Sequence, residues 1–545
     1  MPFSLAQVID TVAATIPDRE ALVVGDKRLT HRELHERCTR LAHVLLSHGL
    51  TVERERADLA GHESGQAHLA LYLYNGNEYL EGMLGAFKAR VAPLNVNYRY
   101  VQEELAYLFE NSQARAVIYH AEFAPQIAAI REQLPRLELL LQVADDSGQA
   151  LLPGALDYEQ ALAEASPEPP PVEPSPDDLY ILYTGGTTGM PKGVLWRSDD
   201  IFVGAMGGRR QDGSLIESPE ALAEQLAASE PQRSLTGPPL MHGAAQWGSF
   251  NAFTTGTTVV FAPEVKKFVA RDFLETAVRE QVRGMSIVGD AFARPLIDEL
   301  RSGQYALSGL GVIASGGAPL SLASKEALLE LLPSILLVDG MGSSEGGTQG
   351  MNISTKGNVN TGVFNTLANS AIISEDLQRV LPEDDTSLGW LAMSGRMPLG
   401  YYGDAEKTAR TFVTIDGTRF SIPGDRARHR EDGSVDLLGR DSVCINSGGE
   451  KIFAEEVEEA LRGHPDLFDI TVAPRASERW GQEVVAVIAL REGAEPDEAG
   501  LRAEAEQHIA RYKLPKAFVF VDAIQRSPSG KADYRWAKAQ AEAAS

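Results

Sequence analysis

The sequence predicts an α/β protein with a large multi-layer N-terminal domain of sheets and helices and a small, mobile α+β C-terminal domain. In the first half of the chain, helical patterns alternate with short apolar strands, as in layered α/β folds. The length of 545 residues exceeds what a single hydrophobic core normally serves. Because the residues beyond 440 form a compact pattern of their own, we expect two domains, 1–439 and 440–545.

The N-terminal elements follow from hydrophobic periodicity. An amphipathic helix is expected at the start of the chain, and a second helix at 31–49 ends at Gly49, a typical C-cap. The residues that share the apolar face of this second helix are Leu34, Cys38, Leu41 and Leu45. The polar segment 51–67 is interpreted as a surface insertion without an assigned role. Apolar runs predict strands at 68–75, 116–120, 137–143 and 179–184.

The later elements are separated by clear turn signals. Six prolines between 165 and 178 exclude a helix or a central strand and favour a stiff surface connection inside one domain. A hairpin is expected with Asp432 and Gly433 at its turn. In the C-terminal domain the pattern predicts helices at 450–465 and 499–513 and strands at 469–475, 483–490 and 517–524.

The composition limits the choice of partners and compartment. A formal net charge of −26, from 50 basic and 76 acidic residues, repels nucleic acid and anionic membranes. The only cysteines, Cys38 and Cys444, support neither a disulfide framework nor a zinc site. Since no apolar run reaches 18 residues and no signal peptide is evident, we expect a cytoplasmic protein.

The segment YTGGTTGMPKGV, residues 183–194, carries the strongest chemical signal. It follows a predicted buried strand, and its glycines let backbone N–H groups turn toward one bound group. Threonine hydroxyls and a lysine add donors and positive charge, a combination that suits a polyphosphate. The segment is neither a Walker loop nor a dinucleotide-binding G-x-G-x-x-G loop. The residues assigned to phosphate binding are Thr184, Gly185, Gly186, Thr187, Thr188, Gly189 and Lys192.

A second small-residue segment, GMGSSEGG at 340–347, permits two interpretations. The residues Gly342 to Gly346 match G-x-S-x-G, the nucleophile elbow of α/β-hydrolases, with Ser344 as the nucleophile. That elbow requires a helix directly after the serine, whereas the continuation GGTQG has no helical period. The hydrolase is therefore kept only as the alternative function.

The string YTGGTTGMPKGV resembles the phosphate-binding signature of the adenylate-forming enzymes, which include acyl-CoA synthetases, luciferases and peptide-synthetase adenylation domains. The segment GMGSSEGG is similar to the second core motif of that family. The resemblance implies that Ser344 binds the α-phosphate and that Glu345 is the Mg²⁺ ligand. It also implies an adenine site formed by Gly316, Gly317, Ala318, Met341, Gly342 and Ser343, with Met341 where the family usually has an aromatic ring.

The resemblance extends to the C-terminal half of the chain. Asp425 takes the position of the family's ribose-binding carboxylate, and Arg440 also contacts the ribose. A hinge is implied at Ser442, two residues after Arg440. Lys531, in a Pro-x-Gly-Lys pattern, takes the place of the adenylation lysine, and Thr184 and Glu345 join it as catalytic residues. The CoA-facing loop is assigned to Gly448, Gly449 and Lys451.

The implied enzyme is an AMP-forming carboxylic acid–CoA ligase that uses ATP, Mg²⁺ and coenzyme A. It forms an acyl-adenylate and pyrophosphate, then an acyl-CoA. A medium-to-long-chain or steroid side-chain acid is expected, with His242, Gly316 and Ala318 lining its site. Expected partners are these small molecules, without nucleic acid or an integral membrane segment, and a homodimer is left open. A luciferase, a peptide-synthetase domain and a silent nucleotide-binding protein remain alternatives.

Overall fold

Residues 2–184, 190–210, 212–447, 450–477, 480–526 and 531–544 are described by a computed structural model, apart from the side chains of Ser442 and Lys451. Within these ranges the strands form sheets of 16, eight and five strands, with helices packed on them. The fold class predicted from the sequence is confirmed.

The helices begin and end as follows. They are α1 (Leu5–Thr15), α2 (His31–Ser47), α3 (Asn77–Lys88), α4 (Gln102–Ser112), α5 (Ala124–Ile130), α6 (Tyr158–Glu164), α7 (Ser198–Ala205), α8 (Pro219–Ala228), α9 (Gly243–Thr254), α10 (Ala270–Arg279), α11 (Gly289–Ser302), α12 (Leu322–Leu331), α13 (Ala405–Thr411), α14 (Ala454–Arg462), α15 (Glu498–Glu506) and α16 (Tyr534–Ala543).

The strands of the two larger sheets precede those of the smallest. The first group is β1 (Glu20–Val24), β2 (Lys27–Thr30), β3 (His68–Tyr72), β4 (Ala92–Asn95), β5 (Ala116–His120), β6 (Leu139–Val143), β7 (Leu156–Asp157), β8 (Leu179–Thr184), β9 (Lys192–Arg197), β10 (Gln232–Thr236), β11 (Thr257–Phe261), β12 (Gly284–Ile287), β13 (Val312–Gly316), β14 (Leu336–Ser343), β15 (Gly347–Ser354), β16 (Val363–Thr366), β17 (Ser370–Ile373), β18 (Val380–Leu381), β19 (Gly389–Ser394), β20 (Gly400–Tyr401), β21 (Phe412–Ile415), β22 (Thr418–Ser421), β23 (Asp425–His429) and β24 (Val435–Arg440). The second group is β25 (Cys444–Ser447), β26 (Glu450–Phe453), β27 (Leu467–Ser477), β28 (Gly481–Leu490) and β29 (Ala517–Phe520).

Helix α2 shows why the early elements were predictable. Thr30 and Glu33 form a reciprocal capping box at its start, and Gly49 beyond its end has a φ of +68°. The four residues predicted to share its apolar face are buried in one hydrophobic core. The helix ends at Ser47, within the span predicted from the sequence.

The eight-stranded sheet has the order β20-β9-β8-β4-β3-β5-β6-β7. It is parallel from β8 to β7, and β9 and β20 add an antiparallel edge. Strands β8 and β9 form a hairpin in which Thr184 is paired with Lys192. The ends of the predicted phosphate loop are therefore fixed on adjacent strands, while residues 185–189 lie outside the described residues.

The 16-stranded sheet is parallel from β1 to β14 and antiparallel beyond β14. Strand β15 follows the Glu345 turn and pairs antiparallel with β14. A strand therefore stands where a nucleophile elbow requires a helix. The predicted hairpin at Asp432 and Gly433 is confirmed as β23–β24.

The five-stranded sheet is formed by β25–β29, with its own apolar cluster shared with α14 and α15. The predicted helix at 450–465 is wrong at its start, because Glu450–Phe453 is strand β26, paired with β25. Ile452 lies in the core of this unit, so its burial in a hairpin takes precedence over helix propensity. The predicted helix at 499–513 is shorter than expected, since it ends at Glu506 and is followed by a 3₁₀ turn at Arg511–Lys513. The boundary at 439/440 stays a prediction.

The polar segment 51–67 contacts the turn after β20. The Gly403 N–H donates to the His62 carbonyl oxygen at 2.8 Å. A Cβ atom at Gly61 would lie 3.0 Å from the Leu399 carbonyl oxygen, so the two backbones approach closely.

No helix in the described ranges is both long and apolar enough to cross a membrane.

Helix α3 packs so closely on α2 that one glycine is required. A Cβ atom at Gly85 would lie 2.9 Å from the Leu41 Cβ, whereas one at Gly248 in α9 would have no neighbour within 4 Å. We expect Gly85→Ala to lower the free energy of unfolding by about 1–3 kcal/mol through overpacking. Gly248→Ala should be neutral or stabilising by up to about 1 kcal/mol. Chemical denaturation of both variants checks this, and equal effects would contradict the packing argument.

Candidate active site

Lys531, which follows the five-stranded unit in the chain, faces charged residues of the large sheets. It interacts electrostatically with Glu345, Asp425 and Arg440. Although the side chain keeps an exposed surface, the protein atoms around it desolvate the ammonium and lower its pKa, and Arg440 acts in the same direction. The structure thus brings together three charged residues of the large sheets and a lysine that is at least 91 positions away in the sequence.

The segment that carries Lys531 is anchored on the C-terminal sheet. The Arg526 guanidinium donates to both oxygens of Asp469 on β27, each at 2.7 Å. Arg526 also forms a backbone bridge with Ala532, directly after Lys531. A bidentate charged pair has a defined geometry, so the position of Lys531 follows the position of the sheet.

Glu345 is half-buried and held from two sides. The Tyr401 hydroxyl donates to Glu345 Oε1 at 2.7 Å, and the Ser421 hydroxyl donates to the Glu345 carbonyl oxygen at 2.7 Å. The Trp196 indole N–H donates to the Ser344 carbonyl oxygen at 2.9 Å. Three separate elements therefore fix the turn between β14 and β15.

Asp425 and Arg440, the two residues that the resemblance assigns to the ribose, lie side by side in the structure. They are opposite each other on β23 and β24, and the Arg440 Nε donates to Asp425 Oδ1 at 3.2 Å. The carboxylate of Asp425 is the main cause of the raised pKa of Arg440. Arg440 thus remains a cation that faces both Glu345 and Lys531.

Lys192 forms an ion pair with Asp404, a residue that the sequence did not single out. Asp404 also caps α13, since its Oδ1 accepts the Lys407 N–H at 2.9 Å. The Lys407 ammonium lies 4.1 Å from the centre of the Tyr401 ring. Lys407 therefore packs on the tyrosine that holds Glu345, and the helix that carries it begins at the aspartate paired with Lys192.

His242 is close enough to Lys531 to interact with it electrostatically. Its Nε2 atom is shielded from solvent and has no hydrogen-bond partner among the described residues, and the same holds for the neighbouring Trp247 Nε1. Burial lowers the pKa of His242 to about 3, with smaller contributions from Lys531 and Arg99. The imidazole is therefore neutral at physiological pH. An unpartnered polar atom here suits a ligand group in the cleft.

The predicted adenine segments are adjacent, because β13 and β14 are parallel neighbours with Gly316 opposite Gly340. Gly317 follows with a φ of +83° and is exposed, and Ala318 is half-buried. Met341 is buried in an apolar cluster with Phe364 and others. Gly342 is exposed, whereas the buried Ser343 hydroxyl has no hydrogen-bond partner in the described ranges. Gly448 and Gly449 lie outside the described residues, as do the side chains of Lys451 and Ser442.

The donor set around Glu345 fits Mg²⁺ better than a metal held mainly by protein ligands. Among the described residues, no group of three or more His, Cys, Asp or Glu side chains could hold a metal ion. Glu345 Oε1 is hydrogen-bonded to Tyr401, and the carboxylate has a second oxygen. One carboxylate suits Mg²⁺, which keeps several waters and binds substrate phosphates in addition.

The sequence profile described as "AMP-binding enzyme" matches residues 9–402, and the profile "AMP-binding enzyme C-terminal domain" matches 456–531. The chain belongs to the AMP-binding enzyme family.

This family assignment is supported along the whole chain. The protein is 55% identical to the medium-chain acyl-CoA ligase Mig of Mycobacterium avium, over 99% of this chain and 98% of the relative. It is 41% identical to a medium/long-chain-fatty-acid–CoA/3-oxocholest-4-en-26-oate–CoA ligase of Mycobacterium tuberculosis, over 99% of this chain and 96% of the relative. The crystal structure of the anthranilate CoA ligase AuaEII with anthranoyl-AMP has the same fold, with a TM-score of 0.83 at 20% identity. The match covers 99% of this chain and 98% of that structure.

For this AMP-binding enzyme the hydrolase alternative has no support. The relatives named above are ligases, and the chain after Ser344 forms a turn and strand β15.

Sequence reasoning missed Tyr401, Asp404 and Lys407. Their segment, GYYGDAEKT, has no unusual composition, and only its position beside Glu345 in the fold reveals its importance.

The orientation of the five-stranded unit is set by contacts of α14. The Leu322 N–H donates to Glu459 Oε1 at 3.3 Å, and Arg462 interacts with Asp290 of α11. The Glu455 carboxylate packs so closely on Gly439 that a Cβ there would lie 2.4 Å from Oε2. That Oε2 atom is shielded from solvent and has no hydrogen-bond partner within the part of the chain that the structure describes.

Glu455 makes this contact sensitive to pH. Burial raises its pKa to about 8, with Glu458 and Asp425 adding to the shift and hydrogen bonding from the Arg440 backbone opposing it. Tyr534 also faces it. Because the pKa of Glu455 is higher in the folded state, the protonated carboxyl contributes its full stabilisation of the fold below the ordinary pKa of about 4.5. That contribution to the free energy of unfolding is lost as the pH rises through about 8.

We expect Glu455→Gln, which mimics the protonated carboxyl, to stabilise the protein more at pH 8.5 than at pH 6. The exposed Glu506 on α15 provides the control, and Glu506→Gln should shift the unfolding midpoint equally at both pH values. Thermal unfolding of the three proteins at the two pH values measures this. A Glu455→Gln effect that is independent of pH would contradict the linkage.

Proposed function

We propose that the protein is an ATP-dependent acyl-CoA ligase that forms an acyl-adenylate and then an acyl-CoA. The observation that carries the proposal is the convergence of Glu345, Asp425 and Arg440 on Lys531. These are the residues that the resemblance assigns to acid activation, and they come from both halves of the chain. The names of the relatives support the same reaction class.

In the first step a carboxylate oxygen of the acid attacks the α-phosphorus of ATP, and the bond to the pyrophosphate oxygen breaks. Two anions must approach, so the site has to supply positive charge and alignment. Lys531 bridges the carboxylate and the α-phosphate, and Arg440 with Asp425 holds the ribose. The neutral His242 lines the part of the acyl site that holds the carboxylate of the acid, and it does not protonate that carboxylate. Glu345 would hold Mg²⁺, which when bound neutralises phosphate oxygen charge.

In the second step the CoA thiol attacks the acyl carbonyl carbon, and AMP leaves with the bonding electrons. The thiol needs the space that Lys531 occupies, so the five-stranded unit must rotate about the segment near 440–442. A cleft of about 330 Å³ between the two units supports this role. It is lined by the cations Arg99, Lys266 and Lys267 and by the aromatic rings of Tyr98 and Phe268, which suit an anionic, nucleotide-bearing thiol, although the carboxylates of Glu264 and Asp272 also line it.

The proposed acid is a medium-to-long-chain fatty acid or a steroid side-chain acid. The 55% and 41% identities to ligases named for such acids support this assignment. The apolar surroundings of His242 and the small residues at 316–318 are consistent with a bulky group. We also propose a cytoplasmic location and a homodimeric assembly.

Acid-dependent exchange of labelled pyrophosphate into ATP tests the reaction class. We expect exchange with octanoate, palmitate and a steroid side-chain acid, and the lowest kcat/KM with acetate. The same panel supplied with CoA should yield AMP and the acyl-CoA. Failure of every acid to promote exchange would sink the ligase proposal, whereas a preference for acetate would overturn only the choice of substrate.

Replacement of Lys531 should separate the two half-reactions. We expect Lys531→Ala to slow adenylate formation by about 100-fold or more, because charge stabilisation of the first transition state is lost. CoA attack on a supplied acyl-adenylate should stay within about threefold of wild type, since the lysine is not required there. Single-turnover assays of each step measure the effect.

The control for this variant is Lys538→Ala, which removes an exposed lysine of α16 paired only weakly with Glu542 at 3.8 Å. Both half-reactions of the control should be unchanged. Equal losses of both half-reactions in Lys531→Ala would show that the lysine does not act in the adenylation step alone.

A further inference from the structure

Lys407 is a cation that the proposed mechanism does not yet use. It lies in the first turn of α13, directly after the turn that contains Gly403 and Asp404. That turn is fixed by the bond from the Gly403 N–H to the His62 carbonyl oxygen and by the pairing of Asp404 with Lys192. The backbone around Lys407 is therefore held in place beside β9.

The Lys407 side chain points toward the Glu345 turn. Its ammonium lies 4.1 Å from the centre of the Tyr401 ring, and the hydroxyl of that ring donates to Glu345 at 2.7 Å. The side chain is half-buried. Lys407 thus stands on the same ring that positions the carboxylate assigned to the metal.

No carboxylate among the described residues lies within 4 Å of the Lys407 ammonium. Desolvation lowers its pKa, and Lys192 and Arg440 act in the same direction, while Glu345 and Asp404 oppose the shift. The neighbouring Asp404 carboxylate is already committed to Lys192. Arg440 is likewise paired with Asp425, so Glu345, on the far side of the Tyr401 ring, is the carboxylate that remains to balance Lys407.

A purely structural role explains only part of this arrangement. The contact with the Tyr401 ring offsets part of the cost of desolvating the ammonium. It gives no reason for holding a half-buried ammonium beside the carboxylate assigned to the metal. When Glu345 holds its metal, that carboxylate no longer balances Lys407, and a multiply charged anion bound between Lys407, Lys192 and the metal would supply the negative charge.

We propose that Lys407 is a second phosphate-binding cation, which contacts the β,γ-phosphates of ATP and then the released pyrophosphate. The inference rests on the proposed ligase function and adds a residue to its site. As the bond between the α-phosphorus and the bridging oxygen breaks, the electron pair moves to pyrophosphate. Lys407 stabilises that developing charge at the end opposite to Lys531.

The test compares three ligands that differ in their phosphates: Mg-ATP, Mg-pyrophosphate and AMP. By isothermal titration calorimetry, Lys407→Gln should weaken pyrophosphate and ATP binding by about tenfold or more, because a charge-assisted contact is lost. AMP, which lacks the β,γ-phosphates, should bind within about twofold of wild type. Lys407→Arg should restore most of the pyrophosphate affinity.

The matched control is Arg410→Gln, which removes one positive charge from the same helix. Arg410 is exposed, and its ion pair among the described residues is with Glu406, at 3.4 Å. It should leave all three affinities unchanged, which excludes a general effect of net charge. Thermal unfolding of each variant verifies that the fold is retained.

The outcomes separate the inference from the function on which it rests. If wild type binds all three ligands and Lys407→Gln binds pyrophosphate equally well, Lys407 is not a phosphate ligand and only this inference fails. If Lys407→Gln weakens AMP and pyrophosphate alike, the residue is structural and the inference also fails. If wild type binds none of the three, the ligase function itself is overturned.

Discussion

The central constraint on this site is electrostatic, because an acidic protein must bring a carboxylate against a triphosphate. Its net charge of −26 opposes the binding of any polyanion, so positive charge has to be concentrated locally. Lys531, Arg440, Lys192 and Lys407 provide this concentration around Glu345. Cations held close together repel one another, and the arrangement is stable because aspartates partner two of them, at 404 and 425.

The second constraint is that one of these cations belongs to a separate sheet. Lys531 reaches the others only when α14 packs on β24 and α12, through contacts such as the Leu322–Glu459 hydrogen bond. The buried Glu455 carboxylate makes this packing weaker than an apolar contact of the same size. An interface of limited stability is useful here, because the proposed second half-reaction requires the same surface to separate.

Much of the fold and part of the site could be predicted from the sequence. Strands such as β8 and the capped helix α2 are specified by local patterns, and Asp425 and Arg440 occur in recognisable turns and strands. By contrast, the Tyr401–Glu345 bond joins residues 56 positions apart, and the Lys192–Asp404 pair joins residues 212 apart. Neither leaves a local signal. Strand β26 was missed because its pairing with β25 overrides a pattern that resembles the start of a helix.

The most direct measurement is a crystal structure of the protein with a stable sulfamoyl analogue of its acyl-adenylate. We predict that Lys531 Nζ lies within about 3 Å of the acyl carbonyl or of the group that replaces the phosphate, a distance typical of charge-assisted hydrogen bonds. Asp425 should accept bonds from the ribose hydroxyls in the same complex. An analogue bound away from Glu345 and Arg440, with no cation at its reacting centre, would contradict the account.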